Sequence, residues 1–332
     1  MSMVNYPERL SLAQTPTPLL PLARLSKQLG GPRLWVKRDD LTGSASSGNK
    51  VRKLEFLLAE AVAQGCDTII TSGGVQSNHC RAVAVLGAQL GLKVHLLLRS
   101  DIPPEPVGNL FLDQLAGATI SHYSVAQFRD LDGLFQHWVD HYQQQGRKSY
   151  SIPTGGSNGT GTWGYIAAAE ELAADFAAEN IDPYAVVHAT GSGGTQAGLI
   201  LGFYLHQVDC KVISYAVCDD EAYFAAKVSD DLTQWQSKYS PHTDLSALVP
   251  HTNAGYVGPA YGVAPPEVLD TIKYVAALEG LILDPVYTGK AFHGLIEDIK
   301  KGVFAEQHDR DIVFLHTGGI FGLFAQQQKM GY

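Results

Sequence analysis

From residue 67 onward, short runs of β-branched and aliphatic residues alternate with longer stretches whose apolar positions recur at helical spacing. Residues 67–72 predict a strand, followed by a helix over 76–90. Residues 93–99 predict the next strand and 109–116 the next helix. Strands over 119–123 and 150–153, with a helix over 126–145 between them, complete one α/β layer. The rhythm then repeats, with helix 161–178, strand 185–190, helix 195–206 and strand 211–217, and a last strand over 312–317 runs into a glycine turn. Such alternation implies parallel strands joined by helical crossovers. Residues 229–256 follow neither period.

With 332 residues, 45% hydrophobic and 17% charged, the chain is long enough to bury a large core, as one large domain or two ordinary ones. A net charge of −9 with no dense cluster of Lys and Arg argues against nucleic acid and leaves small molecules as the expected partners. Cys66, Cys80, Cys210 and Cys218 form no CxxC pair and no zinc spacing, so no metal is expected and the thiols read as free, in a reducing compartment. Residues 1–10 carry Asn5, Pro7, Glu8 and Arg9 without an apolar run. Neither a signal peptide nor a membrane span is indicated, and the expected location is cytoplasmic.

Open α/β sheets bind ligands beyond the carboxyl ends of their strands. Four loops fall there: Ser72-Gly-Gly-Val-Gln-Ser-Asn-His79, Thr154-Gly-Gly-Ser157, Gly191-Ser-Gly-Gly-Thr195 and His316-Thr-Gly-Gly319. The third follows an apolar run and opens a helix, which aims backbone N–H groups and a positive helix end at one point. It is not a dinucleotide fingerprint, because Gln196 stands where the third glycine belongs. It is not a Walker loop, because Leu199 and Ile200 follow Gly198. A lone phosphate monoester suits it; a plain tight turn is the ordinary alternative. Lys50, in Ser46-Ser-Gly-Asn-Lys-Val-Arg-Lys-Leu-Glu55, lies beside a glycine turn at the start of an apolar-periodic helix, where an amine loses its proton more readily. Taken alone it would be a solvated lysine. An amine and a phosphate cup together point to pyridoxal 5'-phosphate.

With these features the chain resembles the fold-type II pyridoxal-phosphate family that contains D-cysteine desulfhydrase, L-cysteate sulfo-lyase and 1-aminocyclopropane-1-carboxylate deaminase. The likeness covers nearly the whole chain, through Thr15-Pro-Thr-Pro-Leu19, Lys37-Arg-Asp-Asp40, Gly48-Asn-Lys-Val-Arg-Lys-Leu-Glu55, Gln76-Ser-Asn-His79, Asp284-Pro-Val-Tyr-Thr-Gly-Lys290 and His316-Thr-Gly-Gly319. It implies a two-domain α/β fold like that of the tryptophan synthase β chain, with parallel-sheet cores covered by helices on both faces. Residues 1–50 and 158–332 would form the large domain and 51–157 a smaller inserted one, with the cofactor between them and a homodimer as the assembly.

The resemblance also implies roles. Lys50 would take the cofactor's aldehyde, while Gly191, Ser192, Gly193, Gly194 and Thr195 hold its phosphate. Asn78 would bond the ring hydroxyl and Thr317 face the ring nitrogen, where a neutral hydroxyl favours prompt loss of a β-substituent. Ser77, Asn78 and His79 would receive the substrate carboxylate, with Ser77 also counted among the catalytic residues. Tyr287 and Tyr261 would lie over the substrate, near the cleaved bond, with Thr288 beside it. On residue chemistry alone His79 is more often a core or capping histidine, and packed aromatics are the alternative for the tyrosines.

The family's deaminases typically carry Glu after the Asp-Pro-Val-Tyr tyrosine and Leu before the final Gly-Gly; Thr288 and Thr317 stand there, which disfavours that activity. The Tyr287-Thr288 pair is similar to the desulfhydrases. Residues 113–119, 188–191 and 318–324 are similar to the sulfo-lyases. Ser47 replaces a usual glycine, and Ile320-Phe321 a smaller pair. The expected reaction converts D-cysteine to pyruvate, ammonia and sulfide, with release of sulfite from L-cysteate as the alternative. A phosphometabolite-binding protein is the rival outside enzymes, and a dehydrogenase lacks its third glycine.

Overall fold

The structure is a computed structural model and describes residues 4–307 and 309–331. Ten strands and eleven α-helices alternate along the described residues: β1 (Leu19–Pro21), α1 (Ala23–Leu29), β2 (Arg33–Lys37), α2 (Lys50–Ala63), β3 (Thr68–Gly74), α3 (Asn78–Gln89), β4 (Lys93–Arg99), α4 (Gly108–Leu115), β5 (Thr119–Tyr123), α5 (Leu131–Gln144) and β6 (Ser149–Ile152). They continue as α6 (Trp163–Glu179), β7 (Pro183–Thr190), α7 (Gly194–His206), β8 (Lys211–Ala216), α8 (Glu221–Tyr239), β9 (His251–Asn253), α9 (Pro266–Glu279), α10 (Thr288–Lys300), β10 (Asp311–Leu315) and α11 (Ile320–Phe324).

The strands form two sheets, of order β1-β2-β10-β7-β8-β9 and β5-β4-β3-β6. Every neighbouring pair is parallel except the antiparallel β1 and β2. Parallel sheets bury both faces, so their strands are apolar on successive positions, each face feeding a different core. In β10, Ile312 and Phe314 pack with Val187, Phe292 and Leu295, while Val313 and Leu315 pack with Val186, Leu172 and Leu199. In the four-stranded sheet, Ile69, Leu96 and Leu98 meet Leu54 and Val83 of α2 and α3, whereas Ile70 and Leu97 meet Tyr142 of α5.

The expected α/β alternation is present, with shifts at the ends of elements. The helix expected from residue 76 begins at Asn78, because the Ser77 hydroxyl accepts the Cys80 N–H at 3.1 Å as a cap. The helix expected over 126–145 is broken at Asp130, whose carboxylate caps α5 after a short 3-10 turn over Gln127–Asp130. Residues 229–256 hold the end of α8, the short β9 and the turns and irregular chain between and after them.

A buried ionic cluster fixes α2 to the large sheet. Arg52 donates twice to Asp39 at 2.8 Å and twice to Glu171 at 3.0 Å; Lys37 reaches Glu171 at 2.6 Å and Asp175 at 2.5 Å. The Tyr165 hydroxyl adds a 2.6 Å bond to Asp39. The Lys37-Arg-Asp-Asp40 and Lys50-to-Glu55 motifs thus meet in one cluster, and α2 carries its first residue, Lys50, to a fixed place.

Candidate active site

A cavity of about 330 Å³ opens where the carboxyl ends of both sheets face each other, lined by Lys50, Ser77, Asn78, His79, Gly191, Ser192, Gly193, Thr195, Tyr261, Tyr287 and Thr317 among others. Gly194 and Thr288 do not line it. The Gly194 N–H donates to the Ser157 hydroxyl at 3.3 Å, and the buried Thr288 hydroxyl donates to Asp284 at 2.7 Å.

Lys50 is placed by the turn before it. Gly48 has φ +105°, and a Cβ there would lie 2.7 Å from the Thr317 carbonyl oxygen, which also accepts the Asn49 N–H at 3.1 Å. Only glycine permits both this backbone conformation and this approach. The Asn49 amide donates to Thr195 at 3.1 Å, tying the lysine turn to the glycine loop before α7. The Lys50 amine donates to the Gly155 carbonyl at 3.4 Å, and burial lowers its pKa to about 8. Lys53, one turn on, shares that carbonyl at 3.3 Å and donates to Ser157 at 3.2 Å; desolvation, with Lys50 nearby, pushes its amine well below the ordinary range.

The loop at residues 191–195 leaves β7 and opens α7, with Gly193 at φ +82°. A Cβ at Gly155 would come within 2.5 Å of the Ser192 hydroxyl and 3.4 Å of the Lys50 amine, so this corner is cut to backbone width. Ser157 and Ser192 share a 2.8 Å hydrogen bond at its edge.

Across the cavity, α3 presents a second helix start. Ser77 takes the Cys80 N–H, and the first-turn N–H groups of Asn78 and His79 have no intrahelical acceptor. The Asn78 side chain accepts from Asn109 at 3.1 Å. Thr71 donates its one hydroxyl proton to the Ile152 carbonyl at 2.8 Å and so accepts from His79 Nε2, also at 2.8 Å. Burial, with Lys50 and Lys53 nearby, pushes the His79 pKa well down, so the ring is neutral and its unpartnered Nδ1 is an acceptor. His79 therefore offers an anion its backbone N–H rather than its ring. Tyr261 and Tyr287 close the far wall with hydroxyls 2.5 Å apart, and burial first, then their contact, raises the Tyr287 pKa well above its ordinary value.

Pyridoxal phosphate needs an amine, an anion cup and room for a flat ring. Lys50, the glycine loop with the start of α7, and the cleared corner at Gly155 supply them. A family model described as "Pyridoxal-phosphate dependent enzyme" matches residues 10–318. The chain belongs to the pyridoxal-phosphate-dependent enzymes. This enzyme is 42% identical over 329 residues to a bifunctional D-cysteine desulfhydrase/1-aminocyclopropane-1-carboxylate deaminase of Arabidopsis thaliana, covering 96% of this chain and 80% of that one. It is 39% identical to a D-cysteine desulfhydrase of Salmonella choleraesuis, covering 97% of each. A crystal structure described as an ACC deaminase homologue superposes with a TM-score of 0.88 at 35% identity, over 97% of this chain and 95% of that one. Pyridoxal phosphate is the enzyme's cofactor, and its chemistry is a lyase's.

Arg99, Phe128, Cys218 and Asp219 also line the cavity and were not among the site residues read from the sequence; Asn49 and Gly74 line it too, and fall in the lysine motif and the first strand-end loop named above. Arg99 and Phe128 carry no sequence signal, because β4 and the turn before α5 reach the cavity only through sheet pairing. No helix among the described residues is long and apolar enough to cross a membrane, and no cluster of His, Cys, Asp and Glu among them could hold a metal.

Proposed function

We propose that this enzyme eliminates the sulfur substituent from the β-carbon of a small amino acid, with D-cysteine, giving pyruvate, ammonia and sulfide, as the first substrate to test. The observation that carries this reading is the Lys50 amine, its pKa lowered to about 8, in one cavity with a phosphate cup and a second free helix start. When bound, pyridoxal phosphate withdraws electrons from the substrate's Cα and makes its proton removable. Lys50 takes that proton as the general base. The N–H groups of Asn78 and His79, with the Ser77 hydroxyl, hold the substrate carboxylate at the positive end of α3. The paired hydroxyls of Tyr261 and Tyr287 deliver a proton to the departing sulfur. Asn78 and Thr317 orient the cofactor ring, and Gly191, Ser192, Gly193 and Thr195 hold its phosphate.

A second reading, L-cysteate as substrate with sulfite released, draws support from Arg99, which adds a positive charge at the cavity mouth. The deaminase reading is weaker, because Thr288, where the deaminases typically carry Glu, spends its hydroxyl on Asp284 away from the cavity. The two sheets support a division into a large domain (1–50 and 158–332) and a small one (51–157), with the cavity between. A cytoplasmic homodimer completes the proposal, and light scattering tests the assembly. The deciding assay offers D-cysteine, L-cysteine, L-cysteate and 1-aminocyclopropane-1-carboxylate separately to cofactor-loaded protein and measures pyruvate, sulfide and sulfite. Elimination from a sulfur amino acid that is lost in Lys50→Ala is expected. Turnover that survives Lys50→Ala would refute the mechanism.

A further inference from the structure

The cavity wall runs without a break from the glycine loop to the mouth. A Cβ on Gly191 would stand 3.1 Å from the Tyr287 ring, the Tyr287 hydroxyl meets that of Tyr261 at 2.5 Å, and a Cβ on Gly74 would stand 3.7 Å from the Tyr261 ring. Beyond them, the Arg99 guanidinium lies 5.9 Å from the Tyr261 ring centroid and 5.9 Å from that of Phe128. Arg99 ends β4 directly opposite Gly74, the last residue of β3, so backbone pairing holds it level with the approach to α3. Its side chain lies against those two rings and acts electrostatically on the Cys218 thiol, and among the described residues no carboxylate pairs with it. Asp219 shares the mouth without forming an ion pair to it. The guanidinium is thus an exposed positive charge lining a ligand cavity, with its hydrogen-bond donors unspent.

We infer that Arg99 is the specificity-determining residue for the β-substituent: it favours an anionic sulfur group, a sulfonate over a thiol, and so supports L-cysteate, the second reading above, over D-cysteine. The inference rests on the elimination reading above. With the substrate carboxylate at the start of α3 and its α-proton facing Lys50, the β-substituent points to the tyrosine pair and, past it, to Arg99. Lys50 accepts the α-proton, the C–H electron pair becomes the Cα–Cβ double bond, and the C–S bond breaks with its electrons on sulfur. A sulfonate leaves as sulfite, its negative charge rising from one to two until a tyrosine proton gives hydrogen sulfite. Addition of water then yields pyruvate and ammonium. The growth of one negative charge as the bond breaks is common to a sulfonate and a thiol, and a nearby cation steadies it in both. What separates them is the charge the sulfonate already carries, which Arg99 meets in the bound substrate and through the transition state alike, so the discrimination appears in affinity and in kcat/KM.

The test uses cofactor-loaded protein, and binding is read separately from turnover. Calorimetry compares 3-sulfopropanoate, which lacks the amine and cannot react, with butanoate, in the parent, Arg99→Met and Arg99→Lys proteins. The parent is expected to prefer the sulfonate, Arg99→Met to lose that preference by about 10- to 100-fold, the range of a charge-assisted hydrogen bond, and Arg99→Lys to restore most of it. In turnover, Arg99→Met should lower kcat/KM for L-cysteate by a similar factor while 3-chloroalanine, with its neutral substituent, changes less than about threefold. A parent protein that binds the sulfonate no better than butanoate, or an Arg99→Met protein that weakens both ligands or both substrates equally, overturns the inference. If no amino acid is turned over while sulfonate binding still depends on Arg99, the elimination reading falls and the role of Arg99 stands.

Discussion

Raising the pH from 6 to 8 should free about half of the Lys50 amine while the exposed lysines stay almost wholly charged. Its amine, buried at the cavity floor and bonded only to the Gly155 carbonyl, has a pKa lowered from 10.5 to about 8. The neutral fraction then rises from about one in a hundred at pH 6 to about one in two at pH 8, a change of about 50-fold, and is about one in ten at pH 7. At the ordinary value only about one amine in three thousand would be free at pH 7. Trace acetylation of cofactor-free protein across this range, with peptide mass spectrometry, gives a labelling rate for each lysine. The Lys50 peptide should reach its half-maximal rate near pH 8, and the rate of pyridoxal phosphate uptake should follow the same curve. A Lys50 midpoint shared with the exposed lysines would refute the desolvation reasoning, and with it the claim that the fold supplies a ready base.

Three further outcomes follow from the geometry around the site. Gly48→Ala places a Cβ against the Thr317 carbonyl at φ +105°, so it should cost about 1–3 kcal/mol of stability and weaken cofactor binding, seen as a lower Tm and a higher Kd for pyridoxal phosphate. Arg52→Met leaves the buried Asp39 without a charged partner, while Glu171 keeps Lys37, and should cost about 3–5 kcal/mol in urea unfolding. Asp113 is wholly buried without a partner for either oxygen, and desolvation raises its carboxyl to about 8. The folded state keeps that proton while the unfolded chain loses it near pH 4, so stability is full at low pH and declines as pH rises toward 8. From pH 5 to 8 the loss reaches at most about 4 kcal/mol, and Asp113→Asn should remove that slope from urea midpoints measured across the range.

What was legible in the sequence follows the range of the interactions involved. The strands and helices between residues 67 and 217 were readable because each buried strand carries its own apolar run and each crossover helix its own period. The glycine loop before α7 and the turn before Lys50 were readable because backbone conformations open only to glycine leave a local mark. The first three elements, β1, α1 and β2, were missed. They are short, and β2 becomes an inner strand only because β10, nearly three hundred residues later, pairs with it. Thr288 was placed in the site by its neighbour Tyr287, yet helix geometry turns the two apart, one to the cavity and one to Asp284.

The residues proposed to hold the cofactor and those proposed to choose the substrate separate along the same line. Lys50 and the glycine loop sit in motifs, because a covalent bond and a phosphate ask for local backbone shapes. Arg99 comes from the end of β4 and Phe128 from the turn before α5, and Arg99 meets Tyr261 only because the two sheets face each other. A substitution at either one leaves the Lys50 turn and the glycine loop untouched and alters the charge or shape of the cavity wall. Changes of substrate within this fold are therefore expected first at the strand ends of the four-stranded sheet, which is where the choice between thiol and sulfonate can be made without disturbing Lys50.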